Sequence, residues 1–312
     1  MADDLNWERK ILEKVALEAL SEQRRSRRWG IFFKLLGFAY VTALLVTFVD
    51  WDSINPDGVK SKHTALVEMH GVIQAKGDAN AEDIVAALQS AFDDKGTVGV
   101  ILRINSPGGS PVQAGIITDE IRRLRAKHAD TPFYVVVEDV CASGGYYVAS
   151  AADKIYVDKA SIVGSIGVLM DGFGFTGSMD KLGVERRLLT AGENKGFLDP
   201  FSPQNERHKT HAQGMLNDIH QQFIDVVRKG RGDRLKETPE MFSGLMWTGA
   251  KSVELGLADD FGTVESVARD VIKVESITDF TVKANLAEKF ARRFGAEAAA
   301  ALGTALTRFS VR

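Results

Sequence analysis

Between Thr64 and Asp158 the chain alternates three times between a short apolar run and a stretch of helical periodicity, and few architectures satisfy that pattern. An apolar run near Thr64 to Val72 precedes a helical pattern from Ala81 to Phe92. TVGVILRI, from Thr97 to Ile104, precedes a second helical stretch from Val112 to Lys127. FYVVVED, from Phe133, precedes a third from Gly144 to Ala152, and the strand KIYVD follows from Lys154. Strands separated by helices predict an α/β fold of parallel strands with right-handed crossovers, in which loops at the carboxyl ends of the strands carry the chemistry. Beyond Ile162 the pattern predicts a strand at GSIGVL and a glycine-rich stretch from Asp171 to Gly177. A long helix is expected from Gln204 to Lys229, and Met246 to Val267 reads as a turn followed by helix, strand and helix in short form. Asn285 to Arg312 is alanine-rich and helical in pattern.

Upstream of this domain, WGIFFKLLGFAYVTALLVTFV runs from Trp29 to Val49 and would rise about 30 Å as a helix, the depth of a bilayer core. Lys34 lies near its start, where an aliphatic stem can carry the ammonium to the headgroups. Arg24, Arg25, Arg27 and Arg28 precede the segment, while Asp50 and Asp52 follow it, which predicts a cytoplasmic N-terminus. A cleaved signal peptide would lack so long and acidic a leading region, and no small-residue cleavage site follows, so an uncleaved single-pass anchor is expected. In a bacterium this places the anchor in the inner (cell) membrane and the rest of the chain in the periplasm or outside the cell. The expected divisions are a cytoplasmic segment 1–28, anchor 29–49, linker 50–63, main domain 64–270 and C-terminal helical extension 271–312. In the first of these, Trp7, Ile11 and Val15 are spaced as on an amphipathic helix.

Composition narrows the partners. A content of 45% apolar and 26% charged residues is that of a globular chain, and a net charge of -3 offers no basic surface for a nucleic acid. The single cysteine, Cys141, cannot form an intramolecular disulfide. No cysteine cluster or HExxH string suggests a metal, and no cofactor is expected.

Two glycine-rich loops follow expected strands. NSPGGS, from Asn105 to Ser110, places Gly108 and Gly109 where backbone amides can approach a ligand, although a plain strand-to-helix turn has the same composition. CASGGYY, from Cys141 to Tyr147, puts Ser143 at a helix start, beside amides that have no helical acceptor. Serine is also a favoured N-cap, but two glycines make a poor first turn for a helix wanted only for stability. A nucleophilic serine needs a base. His63 falls in the linker, His70 in the first strand, His128 at a helix end, and His208, His211 and His220 along the long polar helix. None occupies a special loop, which leaves a Ser/His/Asp arrangement open but without a distinguished histidine. A lysine base would have to be neutral, its pKa brought down from about 10.4 by burial away from carboxylates.

The strings LRINSPGGS, ASGGYYVASAADKIY, GSIGVL and TAGENKG, with VRKGRGD and the GLADDFG region further on, resemble the signal peptide peptidase A family over about His63 to Val267. The resemblance implies the Clp protease/crotonase-like fold, a superhelix of β-α units, here preceded by one N-terminal transmembrane helix. It implies a serine endopeptidase with Ser143 as nucleophile and Lys195 as general base. Ser165 would orient the lysine, and the amides of Gly109 and Gly144 would form the oxyanion hole. It further implies peptide substrates left in or near a membrane, such as remnant signal peptides, and a homo-oligomeric ring. Two other classes stay in view: a crotonase-like enzyme acting on acyl-CoA, and a non-catalytic membrane assembly module.

Overall fold

The computed structural model describes residue 25, residues 27–43 and residues 61–282. The chain divides into two compact units, Met1–Val59 and Lys60–Arg312. In the first, residues 27–43 are helical (α1), with Trp29, Phe32 and Phe33 exposed and packed ring against ring. Among the described residues no helix is long and apolar enough to cross a membrane. Residues 44–49 of the expected anchor, the amphipathic stretch from Trp7 and the alanine-rich stretch from Asn285 lie outside the described residues.

The second unit is built on β1 (His63–His70), β2 (Thr97–Ser106) and β3 (Phe133–Ala142), side by side and parallel. The crossovers are α2 (Ala81–Asp93) and α3 (Pro111–Lys127). Each begins where the sequence supplies a cap: Asn80 Oδ1 accepts the Asp83 N–H at 2.9 Å, and Ser110 precedes Pro111 in the first turn. After α4 (Gly144–Ala149) the chain returns along the far edge of β3 in two pieces. β4 (Lys154–Val157) pairs with residues 134–136, and β5 (Ile162–Gly164) with residues 140–142. The division falls at a bulge: Ile104 faces Val137, but Ser106 faces Cys141. The Asn105 side chain fills the gap, donating to Asp139 at 3.0 Å and accepting the Val140 N–H at 3.3 Å.

α5 (Thr176–Leu182) and α6 (Glu206–Arg231) follow. β6 (Met246–Thr248) pairs antiparallel with β5, and after α7 (Gly249–Glu254) β7 (Asp260–Phe261) pairs with β4. α8 (Val264–Ser266) runs into a π-helical turn, Val267–Ile272, and β8 (Ile277–Asp279) pairs with β1. The sheet therefore extends past residue 270.

Alternation along the strands separates two apolar layers. Ala65, Val67, Met69, Val100, Leu102, Ile104, Val135 and Val137 point to the side covered by α2, α3 and α4. Leu66, Ile101 and Val136 point the other way, to Val264, Val267, Ala268 and Ile272. Both faces are covered, which is why the strands read as nearly unbroken apolar runs. Each fully buried aliphatic side chain contributes about 1.5–3 kcal/mol relative to an exposed one.

Three local expectations are corrected. GSIGVL is not one strand, because β5 ends at Gly164 and Ser165 turns away with φ of 51°. Met246–Thr248, read as a turn, is a strand because β5 offers it an edge. His63 is not a solvated linker residue but the buried first residue of β1, its Nδ1 3.0 Å from the Ser61 carbonyl and its ring against Phe280.

Candidate active site

The carboxyl ends of β2 and β3 bring the two glycine-rich loops together. Ser106 is fully buried; its Oγ donates to the Gly71 carbonyl at 2.7 Å and accepts the Gly108 N–H at 3.2 Å. Ile73 braces the same loop from the far side, its N–H donating to Gly108 O and its carbonyl accepting the Ser110 N–H, each at 2.8 Å. Held this way, Gly108 lies against the serine loop: a Cβ on it would stand 2.7 Å from both Ser143 Cβ and Gly144 N. A Cβ on Gly109, where φ is +147°, would stand 2.2 Å from the Ile73 carbonyl oxygen. Only glycine satisfies both contacts.

Ser143 occupies the junction of β3 and α4 with φ 51° and ψ -124°. A non-glycine residue there carries about 1–3 kcal/mol of strain, which persists where surrounding structure enforces it. Its N–H donates to Gly164 O at 2.8 Å, and its carbonyl accepts the Tyr147 N–H at 2.9 Å, so the backbone is pinned on both sides. The side chain caps nothing, which removes the reading of Ser143 as an N-cap. Gly144, the first helical residue, has no helical acceptor for its N–H, and a Cβ at Gly144 would lie 3.3 Å from Gly109 N. Neither the Gly109 nor the Gly144 amide has a hydrogen-bond partner among the described residues. Two free donors thus lie next to a half-buried hydroxyl.

Cys141, two residues before Ser143, is fully buried, and burial pushes its thiol well above the ordinary range; it packs rather than reacts. Ser165 lies beside Ser143, one residue past the paired Ala142 and Gly164, with its N–H donating to Leu245 O at 2.8 Å. Ser143, Ser165, Gly109 and Gly144 are therefore together. No hydrogen bond or ion pair among the described residues joins Lys195 to them. It sits on an exposed turn, its N–H on Gly192 O at 3.1 Å, and that turn packs against the first half of α6. Phe197 contacts His208 and His211, Glu193 pairs with Arg207, and His208 Nε2 is 3.3 Å from Asn194 Oδ1. His220, twelve residues or about 18 Å further along the helix, is where α6 reaches the site: its Nε2 donates to Ile166 O at 3.2 Å.

Ser106, Ile73 and His220 are the supporting residues that sequence reasoning missed. Ser106 falls within the quoted NSPGGS string, but nothing marks its hydroxyl as buried. Among the described residues no group of three or more His, Cys, Asp or Glu side chains is placed to hold a metal ion.

A strained serine between a parallel strand and a helix, flanked by the free amide of the next residue and one from a neighbouring loop, is how acyl-transfer hydrolases present a nucleophile and an oxyanion hole. The profile of Peptidase family S49 matches residues 125–277, which contain Ser143, Ser165 and Lys195. The chain is 30% identical over 234 residues to a signal peptide peptidase SppA of Enterococcus faecium, covering 72% of this chain and 67% of that one. It is 31% identical over 229 residues to Protease 4 of Haemophilus influenzae, covering 71% and 37%. It is also 43% identical over 221 residues to a chain of Brucella melitensis biotype 1 named Na(+)/H(+) antiporter NhaA, covering 68% of this chain but 30% of that longer one. This chain belongs to peptidase family S49, the signal peptide peptidase A family.

Proposed function

We propose that the chain is a membrane-anchored serine endopeptidase of the Clp protease/crotonase-like fold, working by a Ser/Lys dyad on remnant signal peptides or other membrane-derived peptides. The observation that carries the reading is Ser143, held at φ 51° with an uncommitted side chain beside the free amides of Gly109 and Gly144. In this reading Ser143 Oγ attacks the peptide carbonyl carbon as its proton passes to the Lys195 amine, and the Gly109 and Gly144 amides hold the oxyanion. The lysine ammonium then protonates the departing amine, and water, deprotonated by the same lysine, releases the acyl group from Ser143. Ser165 orients the lysine. No metal or cofactor enters the cycle.

A lysine serves as base only where its surroundings strip it of water. The Lys195 turn is exposed and packs against the first half of α6, so the reading assigns the base to a neighbouring copy in a ring of subunits. Supporting this, residues 169–189 present Leu169, Phe173, Leu182 and Leu189 with 77% or more of their surface uncovered, an apolar area that a second copy would bury. The apolar Trp29–Val49 segment and its flanking charges support the anchor.

The test is incubation of the full chain with a synthetic signal peptide and identification of products by mass. Internal cleavage that disappears in Ser143→Ala is expected; cleavage that persists in that variant would overturn the reading.

A further inference from the structure

On α3 and at the C-terminal end of α6, Arg122, Arg125, Lys229 and Arg234 surround a cavity of about 490 Å³, with Ala151, Ala152, Asp153 and Gly230 completing its wall. Its lining holds four cationic side chains and one carboxylate, Asp153, while Asp119 and Asp259 pair with Arg122 and Arg234 from outside it. The plain account of such a cluster is that it neutralises the carbonyl ends of the helices that finish here, and for two of the four it holds. Arg125 donates to Ala151 O at 2.5 Å and pairs with Asp153. Arg234 donates to Arg231 O at 3.0 Å, to Gly230 O and Asp153 O at 2.6 Å each, and to Asp259 at 3.2 Å.

The other two are not used in this way. Arg122 makes no hydrogen bond among the described residues and has only a loose ion pair, 3.9 Å from the exposed Asp119. The Lys229 ammonium likewise has no partner among them. An excess of positive charge around an open cavity attracts an anion. Arg122 offers a fork of N–H groups and Lys229 a point charge, a pair that suits a tetrahedral oxyanion with acceptors in several directions.

We infer that this cavity is a phosphate-binding site, filled by inorganic phosphate or by the phosphodiester of a lipid headgroup, with Arg122 and Lys229 as its principal donors. It lies past the end of α4 opposite to Ser143, a helix of six residues or about 9 Å, and it is separate from the peptidase site.

Calorimetric titration of the full chain in neutral detergent at fixed ionic strength tests this, with sodium phosphate, glycerophosphoglycerol and sodium acetate as separate probes. Saturable phosphate binding is expected, weakened at least about tenfold in the Arg122→Gln/Lys229→Gln double variant and unchanged in Arg123→Gln, whose guanidinium is occupied by Glu120. Binding of phosphate alone identifies the free ion as the ligand, and binding of the diester as well identifies the headgroup. Should the double variant fail to fold, Lys229→Gln, at an exposed position, carries the same expectation in smaller degree. Absence of saturable phosphate binding, acetate binding of equal strength, or equal affinity in the folded variants would overturn the inference.

Discussion

Ser143 and Ser165 each directly follow one of two adjacent parallel strands, each with a positive φ of 51°, and are linked through the Ser143 N–H and the Gly164 carbonyl at 2.8 Å. Adjacent strands lie about 4.8 Å apart, and neither hydroxyl makes a hydrogen bond among the described residues.

The strain at Ser143 has a measurable consequence. Glycine adopts this conformation without penalty, so Ser143→Gly should raise unfolding free energy by about 1 kcal/mol while abolishing hydrolysis. Denaturant melts and peptide assays on the same preparations check it. A destabilised variant would mean that the serine is not strained.

Gly109→Ala places a methyl where the Ile73 carbonyl stands and so displaces the loop that presents the Gly109 amide. Loss of one oxyanion donor costs roughly 2.7–4 kcal/mol of transition-state stabilisation, which is 10²–10³ in kcat. KM should change far less, and steady-state kinetics separates the two.

If Lys195 serves the Ser143 of a neighbouring copy, Ser143→Ala and Lys195→Ala chains, each inactive alone, should regain part of the activity when co-assembled. A mixed ring then contains sites with both groups intact. Failure of mixing, with assembly verified by mass, would place the base within the same chain.

Arg231 is fully buried and pairs with Asp259 at 2.7 Å while donating to Gly256 O at 2.8 Å. Burial alone would raise the Asp259 carboxyl, but the Arg231 hydrogen bond and charge, the Ile155 N–H and Arg234 outweigh it and hold the group below its ordinary value of 3.8. A carboxyl depressed in the folded state stabilises the protein at pH above its unfolded value, and that contribution is lost as pH falls through the lower folded value. Asp259→Asn strands a buried guanidinium and should cost about 3–5 kcal/mol at neutral pH, with a shallower acid transition than the wild type. Thermal melts across pH 2–7 measure both effects.

The parts of this architecture that were legible in the sequence are those fixed by local periodicity. α2 was expected at Ala81–Phe92 and runs to Asp93; α3 was expected from Val112 and begins at Pro111. The long helix expected at Gln204–Lys229 is Glu206–Arg231. Ser143 was legible because strand, glycines and helix meet within seven residues of CASGGYY. What escaped depends on contacts distant in sequence. The positive φ at Ser165 follows from a hydrogen bond to Leu245, eighty residues away. Ile73 looks like any apolar residue until its backbone is seen to brace Gly108 and Ser110. Arg231, in a string of basic residues, gives no sign in sequence of being buried, because its partner Asp259 lies beyond the next strand. Lys195 was selected by resemblance rather than by its surroundings, and the single chain leaves it exposed.

The account stands most directly on covalent labelling of the full, assembled chain by a serine-directed phosphonate probe, with the modified residue located by peptide mass. One adduct on Ser143 is expected, absent in Ser143→Ala and at least about 100-fold slower to form in Lys195→Ala. An adduct on another residue, or labelling of Ser143 at an unchanged rate without Lys195, would contradict the Ser143/Lys195 dyad.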